Sequence, residues 1–110
     1  MAVSSLRPHP AFWSATGDWA SAQTNTSLKA APGSGSLYIT DIIISNGATA
    51  GKIVLKDGSG GSVIITLYPA ANGGLTTNLR NPIKLTAATA LVVTSTTVTD
   101  HSVTVCGFTA

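Results

Sequence analysis

Leu37-Tyr38-Ile39-Thr40-Asp41-Ile42-Ile43-Ile44-Ser45-Asn46-Gly47 is the stretch that decides the fold. It is dense in β-branched residues, far too short to cross a bilayer, and closes on Asn-Gly, a pair that tolerates positive φ and therefore turns. It reads as a strand. Its apolar residues occupy both phases of a two-residue alternation, with Leu37, Ile39 and Ile43 on one face and Tyr38, Ile42 and Ile44 on the other. Such a strand is expected to be covered on both sides, by an opposing sheet on one and by a neighbouring subunit or an N-terminal arm on the other.

Working outward, the same grammar repeats towards the C-terminus. Residues 52–57 alternate, with Ile53 and Leu55 facing inward and Lys52 and Lys56 outward. Gly58-Ser59-Gly60-Gly61 then makes a hairpin loop into a strand whose inner face carries Val63, Ile65 and Leu67. Pro69 ends that strand, Asn72-Gly73-Gly74 turns the chain, and alternation resumes over 75–79 until Asn81-Pro82 interrupts it, with 83–85 as a short continuation. The Val- and Thr-rich runs 90–96 and 102–109 read as a closing pair of strands. Residues 19–31 hold one or two weak strands before the break at Pro32-Gly33-Ser34-Gly35. No stretch keeps the spacing of an amphipathic helix. The fold class is all-β: a single antiparallel β-sandwich of about seven or eight strands, of jelly-roll or related Greek-key type.

The chain has 110 residues, room for one domain. Only 9% of residues are charged and Glu is absent, whereas soluble domains average about a quarter charged. So little charge implies a surface that is covered in use, as in an obligate oligomer or a shell component. The net charge of +2 comes from isolated Lys and Arg residues with no basic cluster, so nucleic acid is not an expected partner. A membrane is not expected either. The start of the chain lacks a basic stretch followed by an apolar run, so export through a signal peptide is not expected and synthesis in the cytoplasm is.

Residues 1–17 form the other distinctive segment. Pro8 and Pro10 disfavour helix and hold the backbone near polyproline geometry, and Phe12-Trp13 supplies large side chains to bury. The expected organisation is an extended arm over residues 1–17 and a sandwich over 18–110. Arg7, Pro8, Pro10, Phe12 and Trp13 are the candidate partner-binding residues, with Phe12 and Trp13 as anchors.

Residues that could do chemistry are sparse. His9 and His101 are the only bases near neutral pH, and Asp100 and His101, as neighbours on a strand, point to opposite faces. The four aspartates are isolated, without the Asp-x-Asp spacing of a calcium loop or the facing pair of a glycosidase. Gly58-Ser59-Gly60-Gly61 has no following Lys-Ser or Lys-Thr and no helix, so it is a turn and not a phosphate cradle. The single cysteine, Cys106, is expected to be a small buried residue of the last strand. The remaining aromatics, Trp19, Tyr38, Tyr68 and Phe108, are assigned to packing. No catalytic residue, cofactor or metal site is expected, and the chain is not read as an enzyme.

The run Ser36-Leu37-Tyr38-Ile39-Thr40-Asp41-Ile42-Ile43-Ile44-Ser45-Asn46-Gly47, the segment Val54-Leu55-Lys56-Asp57-Gly58 and the closing Val103-Thr104-Val105-Cys106-Gly107-Phe108-Thr109-Ala110 resemble small β-sandwich proteins of tailed bacteriophage particles. The similarity covers residues 18–110 as a pattern of strands and turns. It implies a capsid decoration, or cement, protein at the capsid surface of the virion. Its partners would be the major capsid protein and itself, as a homotrimer whose arm clamps neighbouring capsid subunits. The same resemblance extends to tail, fibre and baseplate proteins that bind neighbouring subunits or host glycans. A carbohydrate-binding module is a further reading.

Overall fold

The computed structural model describes residues 11–110, and all of the regular structure in them is β. Eight strands follow in order: β1 (Ala11–Trp19), β2 (Thr26–Lys29), β3 (Leu37–Asn46), β4 (Lys52–Asp57), β5 (Val63–Leu67), β6 (Gly74–Lys84), β7 (Leu91–Thr96) and β8 (His101–Thr109). They form two four-stranded antiparallel sheets, in the order β1-β8-β3-β6 and β2-β7-β4-β5. Leu37, Ile39, Ile42 and Ile44 of the first sheet and Ile53, Leu55, Leu91 and Val93 of the second are buried between them, together with Val103, Val105 and Leu85.

The pairing is nested. β4 meets β5, β3 meets β6, β2 meets β7 and β1 meets β8, each strand joining the one equally far from the other end of the series. Only β4 and β5 are joined by a local hairpin. Its turn is closed by Asp57 N–H donating to the Ser62 carbonyl at 2.9 Å, and Gly58 and Gly60 take φ of +85° and +73° within it. Side chains with a Cβ adopt such angles reluctantly, which explains the glycines there. The expected closing pair is a correction: β7 and β8 lie in different sheets, because residues 97–100 cross from one to the other.

A bulge in β3 changes the reading of the deciding stretch. Ile39 pairs with Gly107 of β8, the next pair is Asp41 with Cys106, and Thr40 is left over. One extra residue reverses the alternation, so Ile42 and Ile44 point inward with Leu37 and Ile39 while Ile43 points outward. The expectation of a strand apolar on both faces is thereby replaced. The Thr40 hydroxyl donates to the Cys106 carbonyl at 3.1 Å, serving an acceptor beside the bulge. On the other side of β3 the register jumps from Ile83 to Asn78, so residues 79–82 of β6 loop past the same point. Pro82 is tolerated there because β6 is an edge strand and needs no outward N–H.

Similar phase changes account for smaller differences. A shift between Leu55 and Lys56 sets Val63 opposite Lys56, so Val63 is exposed instead of joining Ile65 and Leu67 against the core. Cys106 is only partly buried, on the outer face of β8, because Val103 and Val105 hold the inward phase. Residues 11–17, expected in the arm, belong to β1 and pair continuously with β8. The rest of that segment lies outside the described residues.

Candidate functional site

The outer face of the β1-β8-β3-β6 sheet is organised in rows set by strand register. The row nearest the start of β1 is Phe12, Phe108, Tyr38 and Lys84, one residue from each strand. Phe108 stacks on Tyr38 with ring centroids 4.7 Å apart and planes 8° from parallel, and Phe12 meets Phe108 edge-on at 6.2 Å. Lys84 places its ammonium 6.0 Å from the centre of the Tyr38 ring. Offset stacking and edge contacts satisfy the ring quadrupoles, and the cation sits over a negative ring face. Phe12 stays 77% exposed. A platform of rings therefore crosses most of the sheet and remains open to solvent at its β1 edge.

Beyond the rings the face turns polar, and its charges are carboxylates, Asp41 in the next row and Asp18 at the far end. The next row is Ser14, Cys106, Asp41 and Asn78, in which Asn78 Nδ2 donates to Asp41 Oδ1. Thr16, Thr104, Ile43 and Thr76 follow, with the Thr16 and Thr104 hydroxyls 3.0 Å apart. At the far end a cleft of about 210 Å³ is lined by Asp18, Ser45, Asn46, Gly47, Asp100, His101 and Ser102. Among the described residues no group of three or more His, Cys, Asp or Glu side chains comes together.

His101 forms the arrangement nearest to catalytic chemistry. Its Nδ1 lies 2.6 Å from the Thr99 carbonyl, so Nδ1 carries the proton and Nε2 accepts from the Ser95 hydroxyl at 3.0 Å. A serine held against an imidazole acceptor has the relation of nucleophile to base. Both residues are buried, and Ser95 Oγ also accepts the Gln23 N–H at 2.8 Å. The pair instead ties the segment before β2 to β7 and β8, with Trp19 packed 5.4 Å from the imidazole. Asp100 takes no part in it.

The five candidate partner-binding residues separate. Arg7, Pro8 and Pro10 lie outside the described residues. Phe12 and Trp13, expected to act together, are on opposite faces of β1, as neighbours on a strand must be. Trp13 packs against the core above Gly107, with the Lys29 ammonium 5.6 Å from its ring centre. Its indole Nε1 is buried without a hydrogen-bond partner among the described residues. Phe12 alone presents an accessible ring. Tyr38 and Phe108, expected to serve packing, and Lys84 complete its row. The missing signal was register, since these residues become neighbours only once β1, β3 and β6 are ordered around β8.

Comparison with models of known protein families gives no match, and a search of curated proteins gives none either.

Proposed function

We propose that this chain is a jelly-roll structural protein of a tailed bacteriophage virion, a decoration subunit that assembles as a homotrimer on the head and stabilises contacts between major capsid protein subunits. The nested strand order, with each sheet alternating strands from the two halves of the chain, supports the jelly-roll assignment. The observation that carries the functional reading is the solvent-facing row of Phe12, Phe108 and Tyr38, bordered by Lys84, Ser14 and Asp41 and beyond them by Thr16, Thr104 and Thr76. Aromatic anchors with hydroxyls and a few charges at their rim are the composition of a protein-binding patch, where the rings supply the buried area and the polar groups stay at the edge. Residues 1–10 precede this row in sequence and belong to the proposed arm.

A second reading, a tail or fibre component that binds host glycans, draws on the cleft of Asp18, Asp100, Ser45 and Ser102 at the other end of the same face. Carboxylates and hydroxyls there can hydrogen-bond sugar hydroxyls, and rings can stack on sugar faces. Co-sedimentation with empty heads, run beside a glycan array, separates the two. Head binding that Phe12→Ala abolishes, with no glycan signal, is the expected result. Glycan binding without head binding overturns the decoration reading.

A further inference from the structure

The two edge strands β5 and β6 belong to different sheets and lie on the side of the sandwich opposite β1 and β2. Between Gly58 and Leu79 the sequence contains no charged residue. Ile64, Ile65, Leu67, Leu75, Leu79 and Ile83 of these strands are only partly buried where they pack against the core. Val63 and Tyr68 add apolar surface, at 57% and 71% exposed. The core is therefore left incompletely covered along this side.

Free edges of this kind are normally guarded by charge, proline or an outward bulge, because their unpaired N–H and C=O groups take up another strand. β5 is unguarded by charge or proline throughout Val63–Leu67. We infer that the β5–β6 side is the self-association interface and that its occupant is a second copy of this chain.

Two observations select that occupant. From Gly58 to Leu79 there is no charge to match, Arg80 and Lys84 being confined to the far end of β6, and subunit interfaces between identical chains are the most apolar and charge-depleted kind. The area is also adequate. β6 has 11 residues. At about 3.3 Å per residue it is about 35 Å long, β5 with its 5 residues is about 17 Å long, and each sheet contributes about 10 Å of depth. The result, about 500 Å² per partner or about 1,000 Å² in total, reaches the size at which a specific interface begins. This inference rests on the reading of the chain as an assembly subunit, and it supplies the surface through which copies meet.

The test is the mass of the purified chain by light scattering after size exclusion, at about 100 µM and at 100-fold dilution. The expected result is a multiple of the 11.1 kDa chain mass for the native sequence. It falls to a single chain in the double variant Val63→Lys/Thr66→Lys and in Tyr68→Lys, with far-UV circular dichroism unchanged. Phe12→Lys, on the opposite side, keeps the native mass. A native chain that is monomeric at the higher concentration overturns the inference. So does an oligomer that survives the β5 variants and dissociates in Phe12→Lys. Failure of head binding with the mass pattern intact sinks the decoration reading and leaves this interface standing.

Discussion

Replacing Ile42 and Ile43 by alanine, one at a time, tests the bulge that defines the core. Simple alternation from Leu37 and Ile39 puts Ile43 inside, whereas the observed register puts Ile42 inside at 0% exposure and leaves Ile43 44% exposed. Ile to Ala removes about three carbon groups, which at about 0.8 kcal/mol each is about 2.4 kcal/mol of transfer free energy for a fully buried side chain. A cavity of up to about 75 Å³ at about 24 cal/mol per Å³ adds up to about 1.8 kcal/mol, so Ile42→Ala is expected to cost about 3 to 4 kcal/mol. For Ile43 roughly half the transfer term applies and no enclosed cavity forms, giving about 1 kcal/mol. Urea titration followed by Trp13 and Trp19 fluorescence measures both, and equal m-values keep the comparison within one unfolding reaction. Equal losses, or a larger loss for Ile43→Ala, would refute the bulged register and the core built on it.

Three further predictions concern other parts of the molecule. Gly107→Ala directs a methyl group at the Tyr38 carbonyl and the Trp13 ring; overpacking of this kind is expected to cost about 1 to 3 kcal/mol, read as a lower urea midpoint. Ser95→Ala strands the Gln23 N–H and the His101 Nε2 in a buried site, with an expected loss of about 1 to 3 kcal/mol in the same titration. Phe12→Ala removes only an edge contact with Phe108, so stability should fall by no more than about 1.5 kcal/mol. If Phe12 anchors the partner, a loss of at least about 2 kcal/mol, roughly 30-fold in affinity, is expected in head binding measured by co-sedimentation.

Much of the strand list is legible in the residues because turns announce themselves. Asn-Gly after β3, the glycine loop after β4 and Pro69 after β5 each stop a run of β-branched residues close to where the strand ends. The inward direction of Ile53 and Leu55 follows from alternation alone, since β4 is regular there. What alternation cannot reveal is an added residue. Thr40 gives no local sign that it stands outside the ladder, because the bulge is stabilised by Cys106 and Asn78 partners that are distant in sequence. β1 is obscured for a related reason. Ser14-Ala15-Thr16-Gly17-Asp18 has weak strand propensity, and its conformation comes from pairing with β8 along its whole length. The aromatic row has its residues in plain view, and only its assembly required the strand order.

The proposed decoration role puts this chain on the surface of a particle. Electron cryo-microscopy of purified virions measures that directly. The expected result is a density matching the two four-stranded sheets at repeated positions on the head, local threefold axes included, with the Phe12–Phe108–Tyr38 row turned to the underlying shell. Virions that carry no such density on the head would contradict it.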